Sequence, residues 1–216
     1  HEIRNPLTAI MGEAEITGAK LRSTKEYADS LKIILKEAER LNLTVNNLLQ
    51  LSKVRATAED IKFESLQFDD FLEEIKTSFD FFSPENKVSI SIAKTNTGTY
   101  NVEINKNLMK TALFNLLDNA CKFSSNKPVD VKLVHVGNWL SLAIEDNGLG
   151  ISENDLLQIK EPFYRGKNTL HINGSGIGLA LCEKIITLNN GTLTIDSLLN
   201  NGTKVIVMLP FQSTPS

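Results

Sequence analysis

The chain has 216 residues, 41% of them hydrophobic and 23% charged, with a formal net charge of -3, an ordinary composition for a soluble globular protein with room for one large or two small domains. The slightly acidic balance gives no reason to expect nucleic acid or an anionic membrane as a partner. No apolar run approaches the ~18 residues of a membrane span, no signal peptide is expected within these residues, and Cys121 and Cys182 lack metal-ligand spacing, so both are expected to be small buried hydrophobes in a reducing compartment.

In chain order, residues 1–58 read as two helices. Ile3, Leu7, Ile10, Ala14, Thr17 and Leu21 repeat at spacings of four and three, as do Tyr27, Leu31, Ile34, Ala38, Leu41, Val45 and Leu48. Such spacing marks a coiled-coil-like seam. The connection, about Arg22 to Glu26, is short, so the helices should pair antiparallel. Two helices cannot close a core, and two hairpins together make a four-helix bundle, which predicts a homodimer; a monomeric hairpin packed on a second domain is the alternative. The chain opens on His1 rather than Met, inside this helical pattern, and is expected to be a piece of a longer protein, with any sensor or membrane segment upstream.

Residues 56–62 lose the seam and read as a linker. Beyond them, β-like runs appear at Lys87–Ala93, Val129–Val136, Leu140–Glu145, Thr192–Ser197 and Lys204–Leu209, and helical stretches at Asp69–Phe82, Lys106–Phe123 and Ser175–Leu188. Strands and helices without regular βαβ alternation predict an α+β sandwich over 59–216. The polar tail after Pro210 is expected to fray.

Three segments of this second domain carry chemistry. Asn105 is a candidate N-cap for the helix Lys106–Phe123, in which Met109, Ala112, Leu113, Leu116, Leu117 and Ala120 form a broad apolar face. Asn115, Asn119 and Lys122 fall at i, i+4 and i+7 on another side, where two amides and an ammonium suit a hydrated Mg²⁺ ion and phosphate oxygens; a solvated helix face is the alternative. Asp146 ends a strand just before glycines, placed to accept from a base amino group or, more plainly, to form a turn.

Two glycine clusters, Asp146-Asn147-Gly148-Leu149-Gly150 and Gly174-Ser175-Gly176-Ile177-Gly178, bracket the polar segment 151–173. Alternate glycines let a backbone approach a ligand closely, and two such clusters suggest a hinged lid over a phosphate. Neither is a P-loop, because no Gly-Lys-Ser/Thr follows, and neither has the GxGxxG spacing of a dinucleotide fingerprint. Arg165 lies in the lid and can reach phosphate oxygens or simply be a surface arginine; His171 reads as a loop residue. The second cluster leads into a helix whose N-terminus offers free N–H groups and a favourable dipole to phosphate.

Over almost its whole length the chain resembles a sensor histidine kinase of bacterial two-component systems. His1-Glu2-Ile3-Arg4-Asn5-Pro6-Leu7 resembles the H box, and residues Asn115 to Ser124 resemble the N box. Asp146 to Gly150, Glu161 to Arg165 and Gly174 to Leu179 resemble the first glycine box, the F box and the second glycine box, in the family's order. The resemblance implies a dimerisation and phosphotransfer hairpin over 1–58 followed by a Bergerat-type ATP-binding sandwich over 59–216. It implies that Asn119 ligates Mg²⁺ with Asn115 beside it, that Lys122 and Arg165 contact phosphates, and that Asp146 binds the adenine amino group. Phe123 would pack near the nucleoside, and Gly148, Gly150, Gly174, Gly176 and Gly178, with Leu179, would shape the lid hinges and the phosphate cradle. The aromatic after Lys122 is often Tyr in the family; Phe123 keeps the ring without the hydroxyl.

The same resemblance makes His1 the phosphoacceptor. At ~100° per residue it lies roughly opposite the seam and faces solvent. Adjacent Glu2 is placed to take the imidazole proton as a ring nitrogen attacks the γ-phosphorus. Asn5, at i+4, is tied in the family to dephosphorylation, which adds phosphatase activity toward the partner. Pro6 cannot donate to the carbonyl of Glu2 and should bend the helix. The expected function is autophosphorylation of His1 from ATP with Mg²⁺, then transfer to an aspartate of a response regulator docked on the hairpin, in the cytoplasmic part of a membrane-anchored sensor. Two rivals are another Bergerat-type ATPase and a catalytically silent dimeric scaffold.

Overall fold

A computed structural model describes residues 3–56, 61–93, 101–169, 172 and 174–211. The chain divides into two compact units, His1–Lys53 and Val54–Ser216.

The first unit is helical. Helix α1 spans Arg4–Gly18 and α2 spans Thr24–Ala56. The turn between them covers 19–23, earlier than the 22–26 the pattern predicts, because α2 begins with a capping box. Ser23 Oγ accepts from the Glu26 amide at 3.3 Å, while Glu26 Oε2 accepts from the Ser23 amide and hydroxyl, both at 2.8 Å. Leu21 therefore leaves the predicted seam and stands in the turn, 96% exposed. The Thr17 hydroxyl donates to Ser30 Oγ at 2.9 Å, joining α1 to α2.

Within one chain, the covered row coincides with the predicted seam only in part, at Ile10, Thr17, Ile34, Leu41 and Leu48. Pro6, Ile10, Glu13 and Thr17 in α1, and Ser30, Ile34, Glu37, Leu41, Thr44 and Leu48 in α2, are buried or half-buried. Ile3, Leu7, Tyr27, Leu31 and Val45 of the predicted seam are exposed. A helix with two neighbours carries a wide apolar stripe, and in a single chain only part of it is covered.

The second unit is the α+β sandwich. Its elements are β1 (Glu64–Gln67), α3 (Phe68–Phe82), β2 (Val88–Ile92), β3 (Asn101–Ile104), α4 (Lys106–Phe123), β4 (Val129–Val136) and β5 (Trp139–Asp146). They continue with the one-turn α5 (Glu153–Leu156), a 3-10 turn at Lys167–Thr169, α6 (Gly178–Leu188), β6 (Thr192–Ser197) and β7 (Thr203–Pro210). The main sheet runs β2-β4-β5-β7-β6, with β2 parallel to β4 and every other pair antiparallel. β1 and β3 form a separate antiparallel pair that the sequence reading missed, as it missed α5.

Helices α3, α4 and α6 pack on one face of the sheet. Leu140, Leu142 and Ile144 of β5 and Val129, Val131 and Leu133 of β4 alternate into that core, all at most 1% exposed, while the intervening residues are more open, as one-sided antiparallel sheets allow. α4 contributes the predicted apolar face, Met109 through Ala120, all buried. At roughly 1.5–3 kcal/mol for each large side chain, that face fixes which side of α4 remains for the polar residues.

Candidate nucleotide-binding site

The N-cap of α4 is Asn105, whose Oδ1 accepts from the Leu108 amide at 2.9 Å. With the apolar face anchored in the core, Asn115 and Asn119 turn toward the start of α6. A Cβ built on Gly178 would stand 3.1 Å from Asn115 Oδ1 and 3.9 Å from Asn119 Nδ2. The two amides predicted from α4 and the helix N-terminus predicted from the second glycine cluster are thus brought together. Helix α6 begins at Gly178 rather than Ser175, and Leu179 lies half-buried in its first turn. Open space surrounds Gly174.

Lys122, on the exposed end of the same α4 row, is ion-paired with Asp118 one turn back. Phe123 contributes its main chain: its carbonyl accepts from the Leu149 amide at 3.1 Å, which staples the end of α4 to the first glycine cluster. A Cβ at Gly148 would fall 1.8 Å from that carbonyl oxygen, so close approach dictates glycine there. Gly150 lies against the carbonyl of Leu198 on the turn between β6 and β7.

Asp146 ends β5 on the core side and is 5% exposed. Its Oδ1 accepts from the Gly148 amide at 2.8 Å. Burial pushes the carboxyl above its ordinary pKa, the backbone amides of Gly148 and Thr203 pull the other way, and neighbouring Glu145 adds to the rise.

The segment between the glycine clusters is internally bonded. Ser152 caps α5 through the Asp155 amide, and the Tyr164 hydroxyl donates to Asp155 Oδ1 at 2.6 Å. Arg165 donates to the carbonyls of Thr169 and Ile172 at 2.8 and 2.5 Å, so in this state its guanidinium organises the segment from within. Phe163 joins it to the second cluster by donating its amide to the Gly176 carbonyl at 2.9 Å. Gly176 has φ +70°, and a Cβ there would meet Phe163 at 2.8 Å. Asn5 is an exposed residue of α1, with Pro6 buried beside it. His1, Glu2 and His171 lie outside the described residues.

Sequence reading missed three supports. Lys127 donates to the Asn147 carbonyl at 2.8 Å. Lys160 binds the Leu193 carbonyl at 2.6 Å and pairs with Glu183 at 2.9 Å. Gly202, at φ +89°, would place a Cβ 1.9 Å from the Asp146 carbonyl oxygen. The Asn200-Asn201-Gly202 turn signal was available, but its partner carbonyl was not.

Among the described residues no cluster of three or more His, Cys, Asp or Glu side chains could hold a metal ion, and no helix is long and apolar enough to cross a membrane.

Residues 104–213 match the family model described as histidine kinase-, DNA gyrase B- and HSP90-like ATPase, which defines the class of the second unit as an ATP-binding ATPase domain. Residues 1–57 match the His Kinase A (phospho-acceptor) domain. At 32% identity over 97% of this chain, it is similar to the sensor protein kinase WalK of Staphylococcus epidermidis, and it covers 35% of that protein. At 28% identity over 99% of the chain it is similar to sporulation kinase C of Bacillus subtilis, covering 47% of it. The chain thus spans about a third to a half of these relatives. The fold is shared with histidine kinase AdeS of Acinetobacter baumannii, with TM-score 0.74, 24% identity and 98% of each chain covered. It is also shared with histidine kinase ThkA, solved in complex with the response regulator protein TrrA, with TM-score 0.77, 24% identity, and 99% of this chain and 60% of that one covered. The chain belongs to the bacterial two-component sensor histidine kinases.

Proposed function

We propose that this chain is a histidine autokinase that binds Mg²⁺ and ATP in a catalytic domain over 59–216 and phosphorylates His1 in a phosphotransfer hairpin over 1–58. The observation that carries the reading is the convergence of Asn115 and Asn119 on the Gly178 helix start, within 3.1 and 3.9 Å of a Cβ there. A helix N-terminus presents N–H groups and positive potential to phosphate, and the missing Cβ leaves room for it. Asn119 would ligate the metal and Asn115 would stand beside it. With no carboxylate cluster nearby among the described residues, the donor set fits an ion that arrives with the nucleotide and retains several waters. Bound Mg²⁺ supplies charge neutralisation on the triphosphate.

Asp146, buried at the end of β5, would accept from the adenine amino group, with Phe123 near the nucleoside. Lys122 would leave Asp118, and Arg165 its carbonyls, to contact phosphates as Gly148, Gly150, Gly174, Gly176 and Gly178, with Leu179, shape the hinges and cradle. Positioning and charge neutralisation supply most of the catalysis in such transfers. A His1 ring nitrogen attacks the γ-phosphorus, the bond to ADP breaks, and Glu2 takes the imidazole proton. The phosphoryl group then passes from His1 to an aspartate of a response regulator, leaving the histidine neutral. Asn5, exposed on α1, would orient a water for hydrolytic dephosphorylation of the regulator, with release of inorganic phosphate.

The exposed stripe of Ile3, Leu7, Tyr27 and Leu31 supports a homodimer closing a four-helix bundle. The complex of ThkA with TrrA supports a response regulator as the second partner. The unit would act on the cytoplasmic side of a longer, membrane-anchored sensor.

The test is incubation with Mg²⁺ and γ-labelled ATP, in a protein extended upstream of His1, alongside His1→Gln. Acid-labile, alkali-stable label that His1→Gln abolishes is the expected result. Phosphate release without label on either protein would make the chain a hydrolysing ATPase, and ATP binding without label or hydrolysis would make it a silent scaffold.

A further inference from the structure

Asn189 is completely buried, yet it is a polar side chain far along α6 from the nucleotide site. Its Oδ1 accepts from the Asn105 main-chain amide at 2.8 Å, and its Nδ2 donates to the Ile185 carbonyl at 2.7 Å. Asn105 in turn caps α4 and donates its own Nδ2 to the Lys62 carbonyl at 2.7 Å. Every polar atom of the Asn189 amide oxygen–nitrogen pair has a partner, as a buried group requires. A mere helix cap would need the Ile185 bond alone. The second bond reaches across to another helix.

The geometry of α4 and α6 gives that bond a purpose. The start of α4 meets the end of α6 at Asn105–Asn189, and the start of α6 meets the middle of α4 at Gly178–Asn115. Between these levels the buried Cys182 thiol donates to the Ala112 carbonyl at 3.4 Å. The two helices are therefore antiparallel rails fixed at successive levels. Ten residues of helix separate Asn105 from Asn115, about 15 Å. A tilt or slide at the Asn189 end is carried along a stiff rail to the gap between Asn119 and the amides of α6.

We propose that Asn189, through the Asn105 amide, is a positioning residue for the triphosphate end of the nucleotide. It touches neither nucleotide nor metal; it sets the spacing of the helix that carries Asn115 and Asn119 from the helix start at Gly178. The adenine end rests on Asp146 at the end of β5, which α4 reaches only at its far end, where the Phe123 carbonyl accepts from the Leu149 amide, about 27 Å of helix from Asn105. The inference builds on the nucleotide site proposed above, and it makes an asymmetric prediction: loss of the Asn189 bond weakens what binds between the rails and spares what binds at Asp146.

The experiment compares Mg·ATP analogue and adenosine binding to the full chain by calorimetry, in wild type, Asn189→Ser and Asn189→Asp. Serine is too short to reach the Asn105 amide; aspartic acid, kept protonated by complete burial, retains both the acceptor for that amide and a donor for the Ile185 carbonyl. Asn189→Ser leaves the Asn105 amide without its partner, and is expected to weaken Mg·ATP analogue binding by about tenfold, with adenosine affinity unchanged. Asn189→Asp is expected to recover most of the loss. Equal weakening of both ligands, undiminished Mg·ATP analogue affinity in Asn189→Ser, or no recovery in Asn189→Asp would overturn the positioning role. Failure of wild type to bind the analogue would overturn the nucleotide site itself, a separate outcome.

Discussion

Asp146 does two jobs with one carboxylate: it closes the turn into the first glycine cluster through the Gly148 amide, and it faces the proposed adenine subsite. Asp146→Asn keeps the shape and removes the charge. A hydrogen bond to a charged group is worth about 1.5–3 kcal/mol, so ATP affinity should fall roughly 10- to 100-fold, as calorimetric titration would read. Burial raises this pKa, so acid protonates the group sooner than an exposed aspartate, and wild-type ATP affinity should decline as pH falls through the raised value. The stability effect has the opposite sign. The folded state holds the proton more tightly, so the contribution of Asp146 is full in acid, below its unfolded pKa, and is lost as pH rises through the folded one. A residue at a strand end before glycines was legible in the sequence as a turn or an acceptor. What was not legible was Gly202, needed because the Asp146 carbonyl lies where its Cβ would be; that constraint exists only after β5 and β7 have paired.

Helix α4 was readable at both ends and on both faces, because a capping Asn105, a broad apolar face and two asparagines four apart are all local signals. Strands β1 and β3 were not, since four residues with the exposed pattern of Glu64–Gln67 carry too little alternation to stand out. The start of α2 shows a third case. The Ser23-Thr24-Lys25-Glu26 box is a local signal that the seam pattern overrode, pushing the expected turn too late. Ser23→Ala removes the cap and the acceptor for the Glu26 amide, and should lower hairpin stability by about 1 kcal/mol in chemical denaturation. The Asn189 link lay beyond local reading: Asn189-Asn190-Gly191 announces a helix end, and Asn190 at φ +56° accounts for that signal, but the partner on α4 is supplied by the fold.

On the scale of the whole molecule, the two halves were legible for different reasons, the first from heptad spacing and the second from glycine and asparagine motifs. The partial match between the predicted seam and the covered row of the hairpin follows from reading one chain of a surface that suits two. Leu31 is 64% exposed on that uncovered row. Leu31→Asp should place a charge in the proposed bundle core and convert the dimer to monomer in light scattering, while analogue binding by the second unit is retained. The sheet has its own asymmetry, with three helices on one face and the other more open. The single tryptophan of the chain, Trp139, pairs with Val136 and Pro210 on that open face, 39% exposed. Asp146 is at the opposite end of the same strand and on the opposite face, about 23 Å away at the rise of a β-strand. The molecule therefore carries a built-in optical reporter that is blind to the occupancy of its own pocket: indole emission follows the melting of the sandwich, and its titration with nucleotide should be flat.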